Sequence, residues 1–184
     1  MAERVHLTGD PERPTRIMED PIEIANPILG FFLGYWRDNR QGNALPQYAR
    51  FVPREIKKHL PWVVVTDALP EYEDFRYRVV GTHVTRYFLG DGTGKTIRQA
   101  FAGEDASVAE SLVWLHRRAC VERIPIRLTG PATVLKNIYF PSYDSIYLPY
   151  ATGGETAGKI VNVFTFDYRE IAETRETPLA TAVL

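Results

Sequence analysis

Cysteine occurs once in the 184 residues, at position 120, so no internal disulfide can form and a reducing, cytoplasmic setting is expected. An excess of one charge is also missing. The chain carries 22 basic and 23 acidic residues, for a net charge of −1. That balance supplies no electrostatic drive toward nucleic acid or an anionic membrane, and neither partner is expected. No apolar run follows a basic start, so no secretory signal is read. The densest apolar stretch, residues 22–36, contains Glu23, Asn26 and Pro27 and is too short to span a bilayer, so membrane insertion is not expected. The histidines His6, His59, His83 and His116 form no His-Glu-x-x-His or other close-spaced set, so no metal site is expected. No serine sits in a Gly-x-Ser-x-Gly elbow.

What remains is the composition of a folded domain. Hydrophobic residues make up 45% of the chain, enough for one core with extensions. The ends are polar and simple, and the expected organisation is a mobile tail at 1–20, a helical extension at 21–60, a sheet domain at 61–170 and a second tail at 171–184. Asn26-Pro27 marks a helix start, because asparagine caps and proline at the first helical position forfeits no bond. That helix should end near Arg40, before Gly42. Its apolar residues form a band wider than one packed face requires. Two surfaces are therefore expected for it, its own domain and a second copy of the chain, with Phe32 and Trp36 at a homodimer contact. The alternative is one deep groove in its own domain.

The residues after Pro53 suit a short helix ended by Pro61. Residues 62–66 form a β-branched run. Phe75, Tyr77 and Val79 then alternate with Arg76 and Arg78, the period of a half-buried strand, and the two runs make an antiparallel hairpin. Residues 96–101 allow one or two helical turns. A long helix is expected over 104–122, with Val108, Leu112, Leu115 and Ala119 on one face and Glu104, Asp105 and Glu110 near its positive end. Three strands follow at 127–136, 142–150 and 159–168. Strand pairs at both ends with helices between them indicate an antiparallel α+β sheet.

The run Gly90-Asp-Gly-Thr-Gly-Lys-Thr96 imitates a phosphate loop. Such a loop needs glycine, four residues, then Gly-Lys-Ser/Thr, and five positions before Gly94 stands Leu89. Spaced as a dinucleotide fingerprint, the run is one residue short. It is read as a turn whose glycines take positive φ.

Tyr35-Trp36-Arg37, Leu45-Pro46, Pro53-Arg-Glu-Ile56, Leu60-Pro61, Asp74-Phe-Arg-Tyr-Arg-Val-Val-Gly-Thr82 and Thr93-Gly94-Lys95 occur in that order. Together they resemble the PAS_5 family of bacterial PAS domains over residues 28–168. The resemblance implies a PAS fold: a five-stranded antiparallel sheet with short helices on one face, a central cavity, and here an N-terminal helical extension. It also implies a sensor acting on an unidentified signalling protein, with a small-molecule ligand in the cavity, and not an enzyme. Cavity candidates are Phe75, Tyr77, Leu112, His116, Tyr147 and Phe164. His116 could hold haem iron as a neutral imidazole, or be a histidine at the border of the apolar face with a hydrogen-bonded neighbour. The light-sensing flavin type needs a cysteine where this chain has Arg86-Tyr-Phe-Leu89. Arg76 and Arg78 could clamp an anion or bond to Glu71 and Glu73. A cavity enzyme would pair Asp144 or Asp67 with Tyr147. A ligand-free structural module would have a filled core.

Overall fold

The computed structural model describes residues 16–19, 24–87, 90–103, 106–131 and 142–166. Its strands are β1 (Arg16–Glu19), β2 (Val63–Ala68), β3 (Phe75–Val80), β4 (Ile126–Pro131), β5 (Ser142–Ala151) and β6 (Ala157–Phe166). Its helices are α1 (Pro27–Arg40), α2 (Thr82–Tyr87), α3 (Ile97–Ala100) and α4 (Ala106–Glu122). The sheet runs β1-β4-β5-β6-β2-β3, with every neighbouring pair antiparallel. The five expected strands are all present, and the expected β2–β3 hairpin is among their pairings. Arg16–Glu19 adds a short sixth strand beside β4, inside the stretch expected to be a tail. The remainder of both expected tails, the first two residues of the expected long helix and the end of the strand expected over 127–136 lie outside the described residues.

The ends of α1 follow from its sequence. Asn26 Oδ1 accepts from the backbone N–H of Ile28 at 3.0 Å and Leu29 at 3.3 Å, Pro27 occupies the first turn, and Arg37 and Arg40 lie in the last. The connector departs from expectation. Residues 53–56 form turns, and Lys57–Trp62 is a 3₁₀ helix that runs through Pro61. Three-residue turns are short enough to tolerate one missing donor. At α3, Thr96 and Gln99 form a reciprocal capping box.

The central strands are buried along nearly their whole length, without alternation, from Tyr143 to Ala151 and from Ile160 to Phe166. Continuous burial means both faces are covered. The short helices and α4 lie against one face. The other receives α1: Asn26 Nδ2 donates to Thr165 Oγ1 at 3.0 Å, and Trp36 Nε1 donates to the carbonyl of Pro149 at 2.7 Å. Leu29, Phe32, Leu33 and Trp36 belong to the same hydrophobic cluster as the strands.

The expected dimer contact at Phe32 and Trp36 is therefore corrected. Both side chains are 0% exposed within their own chain, and the wide apolar band of α1 fills the deep groove that was the alternative reading. Phe31, 41% exposed, is the large apolar residue that α1 leaves outside.

The loop before α3 closes the β3 edge. Tyr77 N–H donates to Lys95 O at 3.0 Å and Gly94 N–H to Tyr77 O at 2.8 Å, so the outer edge of the sheet is hydrogen-bonded instead of bare. Gly90 and Gly94 have φ of +93° and +84°, as a glycine turn requires. Gly81 serves a different need. A Cβ there would stand 2.4 Å from the carbonyl oxygen of Pro61, so only glycine allows β3 to leave the sheet against the 3₁₀ helix.

Candidate functional site

A cavity of about 50 Å³ lies between α4 and the sheet. The sheet contributes Val64, Tyr77, Tyr147, Asn162 and Phe164. Register brings these together: Asn162 pairs with both Val64 and Tyr147, so side chains from three adjacent strands point the same way. From α4 come Leu112 and His116, one turn apart on the inward face. Val80, Val84, Gly90, Gly92, Ala100 and Phe101 close the remaining side. Gly92 has a packing reason to be glycine, since a Cβ would sit 3.2 Å from the Tyr77 ring.

Five of the six cavity candidates line this space: Tyr77, Leu112, His116, Tyr147 and Phe164. Phe75 is corrected to a supporting position. It is fully buried, with its ring centroid 4.9 Å from that of His116 and nearly parallel to Tyr72. Asn162 was missed. The available signal was a polar side chain at an inward-facing position of a strand otherwise rich in valine, isoleucine and phenylalanine.

His116 is the polar centre of the cavity wall. It is 3% exposed, and its Nδ1–H donates to the Leu112 carbonyl at 2.8 Å. A carbonyl only accepts, so the proton is fixed on Nδ1 and Nε2 presents a bare lone pair. Nε2 is buried and has no hydrogen-bond partner, and neither does Oδ1 of Asn162. Burial pushes the His116 pKa down to about 4, outweighing the Leu112 hydrogen bond and nearby Asp74, both of which raise it. The imidazole is neutral at physiological pH. Its ring meets Tyr147 edge to face, with centroids 5.1 Å apart.

The tyrosines hold their protons. Burial pushes Tyr147 up to about 12, although Asn162 and Ser145 bond to its hydroxyl and lower it. Tyr77 is raised by burial first, then by Tyr147 and Asp74. The residue as a whole is half-buried. Cys120 on α4 is buried, and its thiol is pushed up to about 12, which makes it an inert core group.

The charged candidates lie elsewhere. Asp67 and Asp144 do not meet Tyr147, because each sits an odd number of residues from a cavity-facing neighbour on its own strand. Asp144 holds Arg127 through two bonds of 2.9 and 2.7 Å. Asp67 is gripped by Lys159 and Arg78, which lower its pKa against the upward pull of burial. The anion clamp is corrected by the same contacts. Arg78 is committed to Asp67 on the neighbouring strand, and Arg76 donates to the Gly94 carbonyl at 2.8 Å. Their partners are thus neither an anion nor Glu71 and Glu73.

Haem at His116 does not fit. The tautomer would suit a metal, but drug-sized ligands need roughly 300–1,000 Å³, several times the space present. Among the described residues, no group of three or more His, Cys, Asp or Glu side chains could hold a metal ion.

The strand order β4-β5-β6-β2-β3, in which the last strand, β6, lies between β5 and β2, with short helices enclosing a small cavity on one face, defines a PAS-type module. The sequence agrees: the PAS_5 family, described as a PAS domain, matches residues 26–138, and the chain belongs to that family. The matched region begins at the cap of α1. No curated protein and no solved structure matches the chain. PAS domains are sensor and interaction modules, and among the described residues no helix is long and apolar enough to cross a membrane.

Proposed function

We propose that this chain is a cytoplasmic PAS regulator without catalytic activity of its own, which takes a small molecule beside His116 and signals its presence to a separate protein. The two-sided placement of α4 carries the reading. Its inner face supplies Leu112 and His116 to the cavity, while Trp114 and Val121 on its outer side are 37% and 61% exposed. A molecule held in this cavity touches Leu112 and His116 directly, so its presence favours one position of α4 against the sheet over others. A rigid helix carries that change of position to its outer surface. Trp114 and Val121, flanked by Arg117 and Arg118, form the surface that a partner reads. The use of Asp67 and Asp144 in ion pairs away from the cavity supports a binding role over acid–base chemistry.

The test is complementation of a deletion strain. A Trp114→Ala, Val121→Glu variant should keep the wild-type melting temperature within a few degrees, since both positions are exposed. It should nevertheless leave the transcript changes of the deletion uncorrected. Full restoration by the variant would reject α4 as the output surface.

A further inference from the structure

We infer that the cavity selects an uncharged molecule of a few heavy atoms that has an apolar body and an N–H or O–H donor directed at His116 Nε2, with Asn162 Oδ1 as a second acceptor. This rests on the reading of the cavity as a ligand site and names the chemistry it takes.

Three observations carry it. The first is direction. His116 Nδ1 is spent on Leu112, so Nε2 can only accept, and Asn162 Oδ1 also only accepts. Both atoms are buried without a partner and both residues line the cavity, an arrangement that leaves polar capacity unused until a donor arrives. A ligand offering only a carbonyl or ether oxygen meets lone pair with lone pair.

The second is charge. No lysine, arginine, aspartate or glutamate is among the described residues lining the cavity. An ammonium, carboxylate or phosphate would lose its hydration there without a counter-charge, which is costly. The third is size. One water needs about 10–15 Å³ of such space, and a dry cavity of about 150 Å³ accepts benzene. The 50 Å³ here suits a small alcohol or amide. The remaining wall is mostly aliphatic and aromatic, which suits an apolar body.

Acetamide and acetone separate the requirement for a donor from that for shape, because they are near-isosteric and only acetamide has N–H groups. The full chain labelled with ¹⁵N-histidine would be titrated with each, following the His116 Nε2 resonance. Acetamide should move it upfield in a saturable manner, and acetone should bind at least about tenfold more weakly. In a His116→Phe variant labelled with ¹⁵N-asparagine and followed through the Asn162 side chain, the advantage of acetamide over acetone should shrink at least about threefold, the remainder resting on Asn162 Oδ1. Equal binding of the probes to the wild type would overturn the inference. So would an Nε2 resonance unmoved up to roughly 100 mM acetamide, a generous level for four heavy atoms. That second result includes the case in which internal water already holds the nitrogen. If either occurs while the α4 variant still fails to complement, the donor requirement falls and the regulator reading stands.

Discussion

Acidification should weaken this fold through His116 by an amount that one substitution can isolate. In the folded chain burial holds the imidazole pKa down at about 4, against 6.5 for an unperturbed histidine. Between those values the unfolded chain binds the extra proton and the folded chain does not. Stability from this group is therefore complete above pH 6.5 and is lost progressively as pH falls toward 4. The full difference is about 3 kcal/mol, from 1.36 kcal/mol per pKa unit, and about 2 kcal/mol of it is gone by pH 5. That is a large share of the roughly 5–15 kcal/mol that holds a domain together. Urea unfolding of the wild type and His116→Phe at pH 8, 7, 6 and 5 measures it. The phenyl ring is close to the imidazole in size, and any packing or hydrogen-bond change it causes is independent of pH. Acid effects at Asp67 and Glu110, whose partners lower their pKa values, occur in both proteins and cancel in the difference. The wild type should lose about 2 kcal/mol more than the variant between pH 8 and pH 5. Curves that stay parallel within about 0.3 kcal/mol would show that the buried imidazole is free to take a proton, and the argument for a neutral acceptor would fail with it.

Two further outcomes follow from packing. Trp36→Ala removes a fully buried indole and its hydrogen bond to Pro149, and should cost about 3–5 kcal/mol in urea unfolding while leaving the sedimentation coefficient of the folded fraction unchanged. A folded variant that differs from wild type only in oligomeric state would return Trp36 to a dimer interface. Gly81→Ala should lower stability by about 1–3 kcal/mol, because the new methyl meets the Pro61 carbonyl carbon and oxygen, which are backbone atoms that cannot turn aside. A melting temperature equal to that of wild type would place the 3₁₀ helix farther from β3.

Periodicity and punctuation by themselves determined much of this protein. Asn26-Pro27 set the start of α1, the alternation from Phe75 gave a strand, though a register shift at Arg78 leaves Val79 exposed and turns Val80 to the cavity, and the glycines at 90 and 94 required a turn. These are local effects: a cap bonds within one turn, a strand alternates every two residues, and φ belongs to a single residue. The ordered short motifs gave the family, and with it the placement of Tyr77, Leu112, His116, Tyr147 and Phe164 around one space. Only the tertiary structure decided what each broad apolar or charged feature faces. The band on α1 reads the same whether it meets a second chain or the far side of its own sheet; the Trp36–Pro149 bond, across 113 residues, shows that it meets the sheet. Arg78 finds Asp67 and Arg76 finds Gly94 through strand and loop register, which no local pattern encodes. The same holds for Asn162. Its amide lies opposite Tyr147 because β5 and β6 pair in one register, and a slip of one residue would turn it to the other face and replace the cavity's second acceptor with a valine.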